Sequence, residues 1–452
     1  MQTTICAPAT GPGQGAVSLV RLSGSEALSI LQKLTHAEKT FPPREQVFCR
    51  LYDEEQVLDE ALVTYFAAPR SFTGEDVVEF ALHGSSYIRG RLLELLCAYG
   101  AQPAKRGEFS YRAFLNGKMD LVQAQGLCDL IAAGNKAAHQ LAVSSLDGRL
   151  SHYLQQTKQV LTELLAQIEV RLDDVDEEMS PLDTPKTLSV LQTQINQLKN
   201  LADTFSVGRL IKEGLKVAII GAPNCGKSSL LNALVGFDRA IVSDQSGTTR
   251  DTVEETLDLD GQKIILTDTA GIREHALDPA EQEGMKRSMR AIEQADMILF
   301  VTDAARPLFE QEIQLWQQVK QAEKPLILVL NKQDRALSGK HPLQEQTTHT
   351  ILLSCKTGEG INKLKQSILS FVQHPALSAQ DGLMIANLRQ YQAVVQAQTE
   401  LESAQLKVQQ QAGLELYAEH IRAALRALKD LTGEVTPDDV LDVIFSKFCV
   451  GK

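Results

Sequence analysis

Residues 215–229 read LKVAIIGAPNCGKSS, and this stretch decides the fold of the middle of the chain. An apolar run of strand length leads into residues 221–228, which fit the pattern G-x-x-x-x-G-K-[ST], and helix-forming residues follow. Glycines let successive backbone N–H groups curl around a phosphate, and the N-terminus of the next helix adds partial positive charge. We interpret this segment as a P-loop in which Lys227 reaches the outer phosphates and Ser228 binds Mg²⁺.

Three further motifs follow later strands of an alternating strand–helix pattern. Residues 268–271 (DTAG) place a carboxylate near Mg²⁺ and a backbone N–H near the γ-phosphate. In residues 331–334 (NKQD), the Asp334 carboxylate can accept two hydrogen bonds from guanine, and adenine has no such donor pair. Residues 354–356 (SCK) supply a backbone contact to the guanine O6. The order and spacing of these motifs predict a Ras-like G domain that binds GTP.

A switch-like loop lies between the P-loop and the DTAG motif, at residues 243–251 (SDQSGTTRD). Thr249 is suited to bind Mg²⁺ together with Ser228. The predicted GTP-binding residues are Asn224, Cys225, Gly226, Lys227, Ser228, Ser229, Ser243, Asp244, Gln245, Ser246, Gly247, Thr248, Thr249, Asp268, Thr269, Ala270, Gly271, Asn331, Lys332, Asp334, Ser354, Cys355 and Lys356.

Ile272 stands where Ras-like enzymes have a glutamine that orients the attacking water, and its side chain has no polar group for that task. Another group must take over. With Asn224, the GTTRD loop resembles GTPases in which K⁺ beside the phosphates neutralises the charge that develops during hydrolysis. The oxygen ligands that we predict for K⁺ come from Asn224, Ser243, Gln245 and Thr248.

Composition limits the remaining possibilities. The chain has 452 residues, a formal net charge of −12 and 43% hydrophobic residues, which suits about three globular domains. No segment is basic, so a protein that grips nucleic acid mainly through its phosphates is disfavoured. We find neither a secretory signal nor an apolar run long enough for a membrane span, and the seven cysteines are scattered. We expect a cytoplasmic protein with reduced thiols.

The periodicity of apolar residues changes along the chain. Residues 1–118 alternate short strands with turns and one helix at 86–99, which predicts an α+β domain. Helical spacing follows over 119–215, and strands alternate with helices over 216–374, which predicts a parallel-sheet α/β domain. Helical spacing returns over 375–452. We expect the two helical segments to form one discontinuous all-α domain into which the G domain is inserted.

Taken together, these motifs resemble the bacterial tRNA-modification GTPases of the MnmE (TrmE) family. The resemblance extends over nearly the whole chain. Beside the P-loop and the GTTRD loop, it is carried by residues 12–17 (PGQGAV), 21–24 (RLSG), 71–76 (SFTGED), 106–109 (RGEF), 113–118 (AFLNGK) and the C-terminal 448–452 (FCVGK). Val450 departs mildly from the family, whose C-x-G-K ending more often has Ile or Leu.

The resemblance implies a homodimer joined through the N-terminal domains, each binding a 5,10-methylene- or 5-formyl-tetrahydrofolate. It also implies an FAD-dependent partner, MnmG (GidA), with which the protein modifies C5 of the wobble uridine of certain tRNAs. The family's folate-contacting positions fall on Arg21, Glu79, Lys118 and Lys452. Arg and Lys can pair with the glutamate tail of the folate, and a carboxylate can bind the donor edge of the pterin.

Two catalytic residues are also implied by the resemblance. Glu281 matches the segment in which the family keeps a catalytic glutamate, with Glu283 and Glu274 as rivals. Cys449 is a candidate for the modification chemistry. Two other functions stay open: a ribosome-assembly GTPase of the same switch class, and a GTP-controlled scaffold that leaves all one-carbon chemistry to its partner.

Overall fold

The structure, a computed structural model, describes residues 3–37, 39–173, 180–236, 253–268, 289–335, 341–372 and 383–451. The chain divides into two compact units. The first comprises Met1–Cys128, Ser145–Leu188 and Ser403–Lys452. The second comprises Asp129–Ser144 and Ser189–Glu402.

A six-stranded sheet organises the N-terminal part of the first unit. Its strands are β1 (Ile5–Pro8), β2 (Val17–Ser23), β3 (Gln46–Asp53), β4 (Gln56–Phe66), β5 (Val77–His83) and β6 (Gln102–Pro103). Their order is β3-β4-β5-β2-β1-β6, and all neighbours are antiparallel except β1 and β6. The helices α1 (Ala27–Leu34) and α2 (Ser86–Ala98) cover one face, where alternate strand residues such as Leu22 and Phe80 are buried. The predicted α+β architecture is confirmed.

Helices complete the first unit. They are α3 (Glu108–Leu115), the start of α4 (Leu121–Ala132), α6 (Arg149–Leu172), α13 (Leu414–Thr432) and α14 (Asp438–Phe445). Lys158 of α6 is buried, and its Nζ donates to Thr432 Oγ1 (3.1 Å) and to the carboxylate of Glu434. Because an unpaired buried ammonium would be costly, this pairing specifies how α6 packs on the end of α13.

A second six-stranded sheet forms the centre of the second unit. Its strands are β7 (Leu215–Ile220), β8 (Val253–Leu259), β9 (Gln262–Asp268), β10 (Met297–Asp303), β11 (Leu326–Asn331) and β12 (Thr350–Leu352), in the order β12-β11-β10-β7-β9-β8. The helices α9 (Lys227–Val235), α10 (Glu310–Gln321) and α11 (Ile361–Val372) connect or follow these strands. Five strands are parallel, as predicted, and fully buried β10 lies beside β7 at the centre.

Strand β8, which the apolar runs do not predict, adds a sixth strand and pairs antiparallel with β9. The two strands form a hairpin whose turn contains Asp260 (φ 49°) and Gly261 (φ 82°). Such a pair of positive φ angles matches the right-handed twist of the flanking strands. The Asp-Gly pair is the sequence signal for this hairpin, and apolar runs alone do not detect it.

Four more helices belong wholly or mainly to the second unit: α5 (Lys136–Leu146), α7 (Thr184–Asp203), α8 (Phe205–Glu213) and α12 (Leu388–Gln409). Helix α8 leads into β7, and it packs against the segment that begins α12. Gly208 lies so close to this segment that a Cβ there would be 2.2 Å from Ile385 O, and Phe205 stacks on Tyr391. The segment that leads into the P-loop sheet therefore packs against the segment that follows the sheet in the chain.

The predicted fold class is confirmed: an α+β N-terminal part, helices on both sides of the P-loop segment in sequence, and a P-loop α/β sheet between them. The boundaries 1–118, 119–215, 216–374 and 375–452 stay a prediction. Within the described ranges, no helix has both the length and the apolarity required to cross a membrane.

Candidate functional site

The P-loop follows β7 at the centre of the sheet, and its glycines are required by close contacts. A Cβ at Gly221 would lie 2.1 Å from Val301 O, and one at Gly226 would lie 2.1 Å from Asn331 Nδ2. Gly226 also has a φ of 100°, which side chains rarely adopt. The buried Lys227 folds over this loop, and its Nζ donates to Gly221 O (2.9 Å) and to Ala222 O (2.8 Å).

Asn331 joins three loops at the end of β11. Its Nδ2 donates to Cys225 O of the P-loop (3.0 Å), and its Oδ1 accepts from Cys355 N (3.2 Å) and from Lys332 N (2.8 Å). The side chain is buried, so these bonds have no competition from water. The structure therefore brings the P-loop, the NKQD motif and the SCK motif together, as the sequence predicts.

Asp334 is held by the SCK motif. Its Oδ1 accepts a hydrogen bond from Ser354 Oγ at 2.7 Å, and this bond is the main reason that the pKa of Asp334 lies below its usual value. One carboxylate oxygen is thus fixed, and the group stays an acceptor at neutral pH. This is the state in which it can receive the N1–H and exocyclic amine of guanine.

Lys332 spans from the NKQD motif to the P-loop. Its Nζ donates to Asn224 O at 3.0 Å and forms a 2.7 Å ion pair with Asp303 Oδ2. Both Asn224 and Lys332 have a φ of 63°, the left-handed region that non-glycine residues seldom occupy. Asp303 was not predicted from the sequence, because it ends β10 outside any of the motifs.

Cys225 and Cys355 lie in this same frame, one in the P-loop and one in the SCK motif. Burial raises the pKa of Cys225, and it raises the pKa of Cys355 to about 11. Both thiols are therefore protonated near neutral pH, which suits a packing role.

Many of the residues predicted to surround the phosphates of GTP lie outside the described residues. These positions are Ser243, Asp244, Gln245, Ser246, Gly247, Thr248, Thr249, Thr269, Ala270, Gly271 and Glu281, together with the rivals Glu274 and Glu283 and the side chain of Asp268. Of the predicted Mg²⁺ and K⁺ ligands, Ser228 lies in the first turn of α9 and Asn224 lies in the P-loop. Their hydroxyl and amide oxygens suit hard cations. The described residues contain no group of three or more His, Cys, Asp or Glu side chains that could hold a metal.

A second cluster surrounds Arg21 on β2 in the first unit. Its Nε and Nη2 donate to Glu79 Oε1 of β5 (2.9 and 2.7 Å), since the two residues are direct cross-strand partners. The guanidinium also lies over the rings of Phe72 (5.4 Å) and Phe109 (5.7 Å). The two aromatic residues were not singled out from the sequence, although both stand inside the quoted motifs SFTGED and RGEF.

The C-terminal tail reaches this cluster. Arg21 Nη1 donates to Gly451 O at 3.3 Å, and Gly451 packs so tightly on β1 that a Cβ would lie 2.1 Å from Pro8 O. Cys449 is exposed, and its carbonyl accepts from Gly107 N at 3.4 Å. The structure thus brings Arg21, Glu79 and the tail together. Lys118 instead donates to Pro69 O at 3.0 Å, and Lys452 lies outside the described residues.

Known proteins resemble the chain over its full length. The family model "GTP-binding protein TrmE N-terminus" matches residues 4–118, and "MnmE helical domain" matches residues 121–449. The tRNA modification GTPase MnmE of Trichormus variabilis is 41% identical, covering 99% of this chain and 98% of its own. The protein of the same name from Acinetobacter baylyi is 42% identical, and the match covers 100% of this chain and 97% of the Acinetobacter protein.

A solved structure similar to part of the chain is the G domain of the T. maritima FeoB iron transporter. It is 30% identical, covers 35% of this chain and 99% of its own, and has a TM-score of 0.28. The family models and the full-length relatives decide the matter: this chain belongs to the MnmE (TrmE) family of tRNA-modification GTPases.

Proposed function

We propose that this protein is a GTPase that takes part in tRNA modification. The observation that carries the proposal is the guanine-binding frame, in which Asn331 joins the P-loop to both base-recognition motifs and Ser354 fixes Asp334. Relatives that share about two-fifths of its residues over the whole chain bear the name tRNA modification GTPase. With an FAD-dependent partner of the MnmG type, the protein modifies C5 of the wobble uridine of certain tRNAs.

Hydrolysis rests on positioning and on charge stabilisation. Lys227, whose Nζ bonds to the carbonyls of Gly221 and Ala222, is placed to bind the outer phosphates, and Ser228 and Thr249 would hold Mg²⁺. Asn224, Ser243, Gln245 and Thr248 would hold K⁺, which would supply positive charge beside the phosphates. Glu281 positions the attacking water, because Ile272 has no polar group.

The cluster at Arg21 is the proposed folate site. Arg21 and Glu79 form a charged pair backed by two aromatic rings, and such a surface suits a ligand with a flat pterin and an anionic tail. Lys118 and Lys452 are the further cations that would bind the anionic tail of the ligand. A folate held there would supply the one-carbon unit, and Cys449 lies on the C-terminal tail that reaches Arg21.

The proposed assembly is a cytoplasmic homodimer joined through the N-terminal parts, which binds its FAD-dependent partner and tRNA. The net charge of −12 argues against a broad phosphate-binding surface. We therefore propose that tRNA contacts are local or shared with the partner.

Potassium should be required for GTP hydrolysis. We expect turnover of GTP by the full-length protein to be about tenfold or more faster in K⁺ than in Na⁺, because the smaller ion fits the oxygen ligands poorly. Steady-state phosphate release measures these rates, and equal rates in the two salts would contradict the potassium site.

The Glu281 carboxylate should be needed for turnover and not for binding. Glu281→Ala should keep GTP binding and lose about 10²-fold in turnover. Steady-state phosphate release measures the turnover, and full activity of Glu281→Ala would show that another glutamate positions the attacking water.

Folate binding should depend on Arg21. For Arg21→Gln we expect the affinity of the full-length protein for 5-formyltetrahydrofolate to fall about tenfold or more, because a charge-assisted contact is lost. Calorimetry measures it. The matched control is Arg50→Gln, since Arg50 forms a similar cross-strand pair with Glu60 in the same sheet (2.9 Å). Equal losses in both variants, or none in Arg21→Gln, would refute the assigned site.

Cys449 should be needed for tRNA modification and not for GTP hydrolysis. Cys449→Ser removes the nucleophile with little change of shape, so we expect modified wobble uridine to disappear while GTP turnover stays near the wild-type rate. Nucleoside analysis of tRNA after reaction with the flavin partner measures the product. Cys128→Ser is the control, because Cys128 packs against the apolar cluster that contains Phe448, the residue before Cys449. Full modification by Cys449→Ser would show that this exposed thiol has no chemical role.

A further inference from the structure

We infer that Asp303 is a positioning residue for the guanine nucleotide, acting through Lys332. Asp303 ends β10, and the strand register places it directly opposite Asn331, the first residue of the NKQD motif. The carboxylate thus stands beside the base-recognition loop without belonging to any nucleotide motif. The inference rests on the proposed function, because it concerns the same nucleotide site.

The carboxylate of Asp303 is itself held rigidly. Its Oδ1 accepts the backbone N–H of Ala305 at 2.9 Å, and the Ala304 N–H donates to Asn331 O at 2.8 Å. The side chain is only 8% exposed. Its second oxygen, Oδ2, is therefore presented in a fixed direction, and Lys332 Nζ meets it at 2.7 Å.

Among the residues that the structure describes, Arg306 is the other cation close to Asp303, and its hydrogen bonds go to other groups. Its two Nη atoms donate to the fully buried Glu312 (2.7 and 3.2 Å), and its guanidinium lies 4.0 Å from the centre of the Phe309 ring. Its Nε is 3.9 Å from Asp303 Oδ2, beyond hydrogen-bond distance. Lys332 is therefore the cation that hydrogen-bonds to Asp303, and Arg306 makes the weaker, longer ion pair.

The effect of Asp303 on nucleotide binding follows from the position of the Lys332 side chain. Its ammonium is shared between Asp303 and the P-loop carbonyl of Asn224 (3.0 Å), so its side chain spans the gap between the base loop and the phosphate loop. The Lys332 side chain is 38% exposed and has four rotatable bonds, and one carbonyl alone would restrain it poorly. Asp303 therefore reduces the entropy that Lys332 would lose when a nucleotide binds.

The test measures the dissociation of a fluorescent GDP analogue from the full-length protein. For Asp303→Asn we expect the dissociation rate and the KM for GTP each to rise about tenfold, with most of the effect in KM and little in kcat. Asp258→Asn is the matched control, because Asp258 also caps a backbone N–H, that of Gly261 at 2.7 Å, and lies in the β8–β9 hairpin. The control should release the analogue at the wild-type rate.

A double-mutant cycle separates positioning from a structural role. In a Lys332→Met background, adding Asp303→Asn should cause no further change in the dissociation rate, because the carboxylate then has no ammonium to hold. A wild-type rate for Asp303→Asn, or an equal tenfold effect in both backgrounds, would overturn the inference. If the wild-type protein fails to bind the analogue, the proposed function itself fails.

Discussion

The arrangement of the nucleotide site depends on one buried amide, that of Asn331. Three hydrogen bonds from this side chain fix the P-loop, the start of the NKQD motif and the SCK motif relative to each other. Gly226 must lack a side chain because the same amide occupies the space. An apolar residue at position 331 would remove the hydrogen-bond partner of three backbone groups, and each such group left buried and unpaired costs about 1–3 kcal/mol.

The part of the nucleotide site that could be predicted from the sequence is the part in which the chemistry requires residues in a fixed order. The P-loop and the motifs that end in Asp334 and Lys356 are local patterns that follow strands, so the parallel sheet brings them to one edge. Asp303 could not be predicted, because a carboxylate at a strand end carries no sequence pattern that links it to Asn331, and only the strand register shows the two to be partners. The antiparallel strand β8 was not predicted for another reason, since its only local sequence signal is the Asp260-Gly261 turn and not an apolar run.

The Arg21 cluster in the first unit could not be predicted from local sequence patterns. Composition and spacing gave no reason to join Arg21 with a tail 430 residues later, and only the family resemblance suggested it. In the structure, antiparallel pairing places Arg21 beside Glu79, and Gly451 can lie against β1 because it has no side chain and a φ of 90°. The tail is thus held by backbone contacts, which a sequence pattern does not reveal.

The most direct test of the account is the base preference of Asp334→Asn. An amide offers one acceptor and one donor, so it loses a bond to the guanine amine and gains one to the 2-oxo group of xanthine. We predict that GDP affinity falls about 10²-fold and that XDP binds more tightly than GDP, as measured by competition with a fluorescent nucleotide. Unchanged preference for GDP in this variant would contradict the claim that Asp334, held by Ser354, reads the base.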